Sequence, residues 1–461
     1  MGEFSRRRFL AALLAGGPAL MMSQSAKAQG SRRANKSPNV VFILTDDLGW
    51  AELGCYGNAF NETPHADKLA RQGMRFTQAY AAAPVCSPTR ASLMTGQYPA
   101  RVGITDYLRA DDAKHLSPET HTTVAKALAA QGYATGLIGK WHLMGDYEKR
   151  RGDPARHGFD EVICSETRYI GGGDYFHPYS HLPDVEARWE NEYLTDRLSV
   201  EAADFITRHK EEPFFLYVSY YSVHTRLAGR PPLVEKYQAK PGAGKDKNNA
   251  VLAAMLESID DGIGRIMDAL EECGIADNTI LVFMSDNGGE HKVTSNAPLR
   301  GAKSQLYEGG IRVPLIVRWP QAVAPGAVCD APVSTIDFYP TFLDVTGVAP
   351  ADGQAIDGES LAPLLRQTGP LERDTLFWHY PIEKPHFLGG RSSGVVRQRH
   401  LKLIEFYDTG EVELYDLAKD VGEGHNLAQK QPQKAAELRD ALVRWRRDLR
   451  VDDWSASATG S

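Results

Sequence analysis

The reactive side chains of this sequence gather in a few short stretches, and most of those stretches follow an apolar run. The run at residues 40–44 leads into Thr45-Asp46-Asp47, the run at 135–138 into Gly139-Lys140-Trp141-His142, and the run at 279–284 into Ser285-Asp286-Asn287-Gly288. A further apolar run at 213–218 reaches His224 a few residues on. Asp46, Asp47, Asp286 and Asn287 offer only oxygen ligands, with no Cys or His beside them in those tetrads, so the cation they suit is a hard one: calcium first, magnesium second. Asp-Asp after a strand and Asp-Asn-Gly are also ordinary cap and turn sequences. It is their joint occurrence after strongly apolar runs that favours a single bound ion. Another stretch, Pro84-Val85-Cys86-Ser87-Pro88-Thr89-Arg90, places one cysteine close to a proline and an arginine. The five cysteines (Cys55, Cys86, Cys164, Cys273, Cys329) are odd in number and lack Cys-x-x-Cys spacing, which supports neither zinc nor a disulfide framework. Cys86 therefore calls for an explanation of its own.

These groups need a scaffold that brings distant segments to one edge. Short apolar runs alternate with amphipathic helical stretches at 64–72, 122–131 and 250–272, the pattern of a parallel sheet buried on both faces. In such sheets ligands bind outside the carboxyl ends of the strands, which is where the reactive groups fall. Pro88 suits the first turn of a helix, and this puts residue 86 at a helix N-terminus whose free amides favour an anion. From about residue 374 the texture changes to alternating, polar-interrupted runs at 394–397, 401–406 and 413–415, followed by a helical stretch at 432–450. The expected fold class is α/β: a large, mostly parallel or mixed sheet sandwiched by helices over 37–373, with a smaller C-terminal α+β subdomain holding an antiparallel sheet over 374–455. Residues 241–248 should form a solvated loop, and the tail after Trp454 should be loose.

Bulk properties narrow the partners. With 42% hydrophobic and 24% charged residues the chain is an ordinary globular one, and its net charge of -7 argues against nucleic acid, which demands clustered Lys and Arg. An anionic substrate has to be met by local positive charge. Ser5-Arg6-Arg7-Arg8-Phe9-Leu10, a mildly apolar run to Met22 and Ala26-Lys27-Ala28 together read as a twin-arginine export signal over residues 1–28. The apolar stretch is too short to span a bilayer. The expectation is a bacterial protein, periplasmic or secreted, with no membrane span. Because twin-arginine export carries folded chains, a residue can be modified in the cytosol beforehand.

The stretch from Pro84 to Gly96 contains Cys-x-Pro-x-Arg followed by Thr-Gly, and in this it resembles the type I, formylglycine-dependent sulfatases of the alkaline phosphatase-like superfamily. The resemblance continues through Asp46-Asp47, Gly139-Lys140-Trp141-His142, Asp286-Asn287-Gly288, Lys303, Glu308-Gly309-Gly310-Ile311-Arg312-Val313-Pro314, and the terminal Glu413-Leu414-Tyr415-Asp416-Leu417 and Asn426-Leu427. It implies that a formylglycine-generating or radical-type maturation enzyme converts Cys86 to an aldehyde. It also implies one calcium held by Asp46, Asp47, residue 86, Asp286 and Asn287. Arg90, Lys140 and Lys303 are matched to the sulfuryl oxygens, His142 to the second hydroxyl of the aldehyde hydrate, and His224 with Lys303 to the departing alcohol. The chemical logic is plain: a serine attacking a sulfate ester would itself become one, whereas a hydrate attacks through one hydroxyl and expels sulfate by deprotonation of the other. Around His224 the sequence departs from the proline-rich context usual in the family, reading Tyr221-Ser222-Val223-His224-Thr225-Arg226.

Substrate recognition is less legible. Asp106, Tyr107, Arg109 and His115, the loop Gly171-Gly172-Gly173-Asp174-Tyr175-Phe176-His177, and Trp378, His379 and His386 are polar and aromatic candidates of the kind that suit a sulfated carbohydrate. The competing readings are an arylsulfatase or a phosphate or phosphonate monoester hydrolase on the same scaffold, and a non-catalytic glycan-binding relative whose Cys86 stays a thiol. A two-metal phosphatase would want further His and Asp ligands and a Ser or Thr nucleophile at position 86.

Overall fold

A computed structural model describes residues 37–168 and 174–451. The export-signal stretch 1–28, Gly171 to Gly173 and the tail after Trp454 lie outside the described residues. Among the described residues there are thirteen strands: β1 Asn39–Thr45, β2 Met74–Tyr80, β3 Ala134–Gly139, β4 Glu161–Ile163, β5 Phe214–Ser219, β6 Thr279–Ser285, β7 Arg312–Arg318, β8 Ala327–Cys329, β9 Val333–Ser334, β10 Thr375–Tyr380, β11 Ser393–Gln398, β12 Leu401–Phe406 and β13 Val412–Asp416. The first nine form one mixed sheet in the order β4-β3-β5-β1-β6-β7-β2-β8, with β9 on β2, and the last four form a separate antiparallel sheet. This is the alkaline phosphatase-like α/β arrangement that the sequence led us to expect.

The central strands read as unbroken apolar runs because both of their faces are covered. On β1, Val40, Phe42 and Leu44 pack with Ala91, Leu93 and Met94 of the helix Cys86–Thr95 and with Phe338 and Phe342 of the helix Phe338–Thr346. Val41 and Ile43 point the other way, onto Leu69, Leu198 and Ile259 of the helices Pro64–Gln72, Leu194–Arg208 and Ala250–Glu272. The helix Leu194–Arg208 was not foreseen, although Leu194, Leu198, Ala202, Phe205 and Ile206 carry its buried stripe at helical spacing.

Two long strands were also not foreseen. β2 interrupts its apolar residues with Arg75, Thr77 and Gln78, and β7 contains Pro314. The proline is tolerated because the β2–β7 pairing shifts register between Phe76 and Ala79, where Pro314 has no cross-strand partner. The Tyr56 hydroxyl fills the gap, donating toward the carbonyls of Phe76 (2.7 Å) and Leu315 (2.8 Å) and accepting from Leu315 N–H (2.9 Å).

In the second sheet, Trp378, Tyr380, Val395 and Ile404 pack toward Tyr80, Val85, Leu306 and Ile311. Its other face, with Val396, Leu403 and Leu414, is covered by Ala435, Leu438 and Leu442 of the helix Pro432–Asp448. The described residues from Pro38 onward make one compact unit.

Candidate active site

β3, β5, β1 and β6 are parallel neighbours, so their carboxyl ends share one edge of the sheet. Backbone hydrogen bonds carry the ladder a residue past those ends: Lys140 N–H to Ser219 carbonyl (2.8 Å), Asp46 N–H to Ser222 carbonyl (2.9 Å) and Asp286 N–H to Thr45 carbonyl (3.0 Å). Lys140, Asp46 and Asp286 are thereby placed in adjacent rows although far apart in sequence. Two glycines make the close approaches. A side chain at Gly139, whose φ is +99°, would meet the Ser219 carbonyl oxygen at 2.0 Å, and one at Gly288 would meet that of Gly309 at 1.8 Å.

Opposite this edge stands the helix Cys86–Thr95, all ten of its residues buried, with Cys86 at its first position. The Cys86 thiol lies 3.5 Å from Asp46 Oδ1, and ligand atoms of Asp46, Asp47 and Cys86 all fall within 4.8 Å of one another. Lys140 Nζ is 2.5 Å from Asp46 Oδ2, and Lys303 Nζ is 2.6 Å from Asp47 Oδ2. Arg90 donates to Asp286 Oδ2 from Nη2 (2.6 Å) and Nε (3.1 Å), while its Nη1 reaches Ser219 Oγ (2.5 Å) and the Lys140 carbonyl (3.2 Å). With all three guanidinium nitrogens engaged, Arg90 holds Asp286 from below. Asp286 Oδ1 accepts the Asp47 amide (3.1 Å), and Asn287 Nδ2 donates to Asp47 Oδ1 (2.9 Å). Asn287 Oδ1 is buried and has no hydrogen-bond partner among the described residues.

Three carboxylates and three cations thus share one buried cluster. Burial alone would raise the Asp46 carboxyl, yet Lys140, His224, Arg90 and Lys303 hold it well below the usual range. Burial and Asp46 push the Cys86 thiol up, so as a thiol it stays protonated and a poor nucleophile. Burial would lower Lys303, but Asp47 keeps the ammonium charged. The donor set suits a hard cation: oxygens of Asp46 and Asp47 gather beside Cys86, Asp286 accepts the Asp47 amide next to them, and the buried Asn287 amide oxygen is left without a partner among the described residues.

Two histidines flank the cluster. Nε2–H of His142 donates to the Leu108 carbonyl (2.9 Å), which leaves Nδ1 as a bare acceptor with no partner among the described residues. Burial and Lys140 keep this ring neutral. His224 Nδ1–H donates to the Thr225 carbonyl (2.6 Å), and its Nε2 lies 3.8 Å from Asp47 Oδ2. Burial and Lys303 lower its pKa. A cavity of about 150 Å³ opens beside Cys86, His142, His224 and Lys303 and is completed by Val85, Tyr107, Leu108, Ala110, Tyr147, His386 and Phe387.

Of the substrate-binding candidates, Tyr107 and His386 line this cavity, their rings meeting edge-on at 5.6 Å. Arg109 lies over the Tyr107 ring at 4.4 Å. The structure does not place the others in the cavity wall. His115 turns back toward the Ala113 carbonyl (3.3 Å), and His177 binds the Val185 carbonyl (3.1 Å). His379 is buried against Tyr407, its Nδ1 2.8 Å from the hydroxyl, and Trp378 Nε1 donates to the Ala81 carbonyl (2.8 Å) between the two sheets. All four look polar or aromatic in sequence, but their polar atoms serve local packing.

Sequence reasoning missed Glu166. Its carboxylate accepts the amides of Trp141 (3.0 Å) and His142 (2.6 Å) and the Tyr221 hydroxyl (3.0 Å), fixing the turn that presents His142 at a left-handed φ of 55°. A lone glutamate between β4 and the next helix carries no spacing signal. Phe387, 72% exposed at the cavity rim, was missed for the same reason.

Comparison with known proteins agrees with this geometry. Residues 38–348 match the family model Sulfatase, and residues 302–448 match that of the N-sulphoglucosamine sulphohydrolase C-terminal region. A sulfatase of Formosa agariphila is 31% identical over 91% of this chain and 90% of its own length, and the steryl-sulfatase of Mus musculus is 33% identical over 75% and 68% respectively. Among solved structures, Ps i-CgsB in complex with k-i-k-neocarrahexaose superposes with a TM-score of 0.81 at 29% identity, covering 91% of this chain and 95% of that one. The chain belongs to the sulfatase family, the hydrolases of sulfate esters. Among the described residues no helix is long and apolar enough to cross a membrane.

Proposed function

We propose that this protein hydrolyses sulfate esters of a carbohydrate through a formylglycine made from Cys86, beside one calcium ion held by Asp46, Asp47, Asp286, Asn287 and residue 86. The observation that carries the reading is the gathering of Asp46 and Asp47, at the end of β1, on the thiol at a helix N-terminus, with Asp286 at the end of β6 accepting the Asp47 amide. The carbohydrate preference is supported by the aromatic and histidine rim of Tyr107, His386 and Phe387, and by the sugar complex of the similar protein Ps i-CgsB.

A formylglycine hydrate supplies the attacking oxygen and a second hydroxyl whose deprotonation releases sulfate. A divalent cation adds positive charge to an otherwise balanced cluster and eases ionisation of the attacking group. The chain's own residues do the rest. Arg90 holds Asp286 in place, and Lys140 and Lys303 keep charged ammonium groups where negative charge builds on the sulfuryl oxygens. Nδ1 of His142, bare and neutral, takes the proton of the second hydroxyl. His224, whose Nδ1–H stays on the Thr225 carbonyl, delivers a proton to the departing alcohol only when Nε2 is protonated as well, and Lys303, charged beside Asp47, is the second proton source at this edge. Glu166 fixes the orientation of His142.

Intact-mass measurement of chain matured with a formylglycine-forming enzyme tests the first step, since exchange of thiol for carbonyl removes roughly 18 mass units at residue 86. The expected result is that mass loss together with sulfate release. A modified chain that cleaves phosphate esters in preference to sulfate esters of the same alcohol would overturn the reading. Export is part of the same proposal: Arg6→Lys with Arg7→Lys should leave the protein in the cytosol, as fractionation would show.

A further inference from the structure

The catalytic cavity has a neighbour. Tyr107 and Leu108 line it and also line a second cavity of about 460 Å³. That volume lies within the roughly 300–1,000 Å³ usual for ligand sites. Two segments wall the second cavity and supply part of the catalytic one: residues 104–114 after the helix that bears Cys86, and the connection between β10 and β11 that carries His386 and Phe387.

Their linings differ in kind. The catalytic cavity combines apolar walls with Lys303 and three histidines. In the second, Asp106, Asp112 and Glu383 share the lining with Arg109, Lys114 and Lys384. Three carboxylates against three cations leave no net charge to draw an anion, but they supply acceptors and donors together. A neutral polyol, each hydroxyl of which both donates and accepts, matches such a surface.

The partition between the cavities is firmly held. The Asp106 carboxylate accepts the Tyr107 amide (2.9 Å), Arg109 Nη2 (3.2 Å) and the Tyr380 hydroxyl (3.4 Å). The Arg109 guanidinium covers the Tyr107 ring and His386 meets the ring edge-on. The tyrosine is thus fixed by both segments while bordering both cavities.

We infer that the second cavity seats the unsulfated sugar adjoining the one that bears the scissile sulfate, so the substrate is an oligosaccharide and Tyr107 stands between its two units. This rests on the carbohydrate reading above and deepens it. The test uses matured enzyme, 4-nitrophenyl sulfate, and hexoses sulfated at positions 3, 4 or 6, each offered alone and linked to an unsulfated hexose. At least one disaccharide should exceed both its monosaccharide and the aryl ester in kcat/KM. Arg109→Ala combined with Lys384→Ala should lower the disaccharide-to-monosaccharide ratio about tenfold, the loss expected for one or two hydrogen bonds. A panel in which no disaccharide outruns its monosaccharide or the aryl ester overturns the inference while leaving sulfate-ester hydrolysis intact, and so does a ratio that the double substitution does not move. Preference only for a second unit that is itself sulfated overturns the neutral-sugar assignment. No sulfate release from any probe by converted chain would instead strike the function proposed above.

Discussion

Asp286 accepts Arg90 on one carboxylate oxygen and the Asp47 amide on the other, so a single side chain ties the buried helix to two strand ends. Asp286→Asn keeps its shape but removes a charge from the cluster, and matured enzyme carrying it should lose turnover about a thousandfold, as removal of a charge-stabilising group does. Measurement of kcat on 4-nitrophenyl sulfate checks this; retention of a tenth of the activity would remove Asp286 from the site. His224 is argued to act on the leaving alcohol alone. His224→Ala should therefore slow a sugar sulfate about a hundredfold, and 4-nitrophenyl sulfate, whose alcohol departs without help, by less than tenfold. Equal losses on both esters would deny it the acid role. The types of these residues could be read from the sequence, but Arg90's engagement with Asp286 could not, because it depends on the distance between a helix and a strand end that are 196 positions apart in the chain.

At the scale of elements, the two sheets are joined by a buried ionic network. Lys402 on β12 lies 2.9 Å from both Glu308, at the start of β7's approach, and Glu423, while the Tyr80 hydroxyl on β2 donates to Glu308 (2.6 Å). The segment that carries Lys303 runs directly into Glu308, so the network also anchors a residue of the site. Lys402→Met would leave two buried carboxylates short of a counter-charge and should destabilise the fold by about 3–5 kcal/mol in chemical unfolding. A change under about 1 kcal/mol would show that Arg312 and Arg397 suffice. Helices and strands with one clean period, such as Pro64–Gln72, Ala250–Glu272, β1 and β6, were legible to within a residue at each end. β2 and β7 were not, because a polar-interrupted strand and a proline-containing strand owe their pairing to neighbours rather than to their own pattern.

Across the whole molecule, pH should act through histidines that fold neutral. Burial lowers His157 to about 4, held by a bond between its Nε2 and the Leu116 carbonyl and packed on Trp141. Its folded pKa lies below the unfolded value near 6.5, so between those limits the unfolded chain binds more protons. Stability contributed by this group is therefore complete above pH 6.5 and declines as the pH falls toward 4, by on the order of 3 kcal/mol. Thermal unfolding should show Tm falling over that window, and His157→Phe should flatten the slope; an unchanged slope would refute the assignment. His379 adds to the same trend, since burial lowers it to about 3.

The sequence by itself determined the α/β class, the change to an antiparallel texture near residue 374, and the chemistry on offer: hard oxygen ligands, one unusual cysteine, and cations enough for an anion. Periodicity and residue type are local quantities, and local physics suffices to read them. Only the tertiary structure decided which of the polar loops border the cavity, that Arg90 serves Asp286, that Glu166 orients His142, and that Tyr107 borders two cavities while His115, His177 and His379 turn elsewhere. Those outcomes depend on how far apart folded segments come to rest, and loop residues of similar polarity carry no record of that distance in their order along the chain.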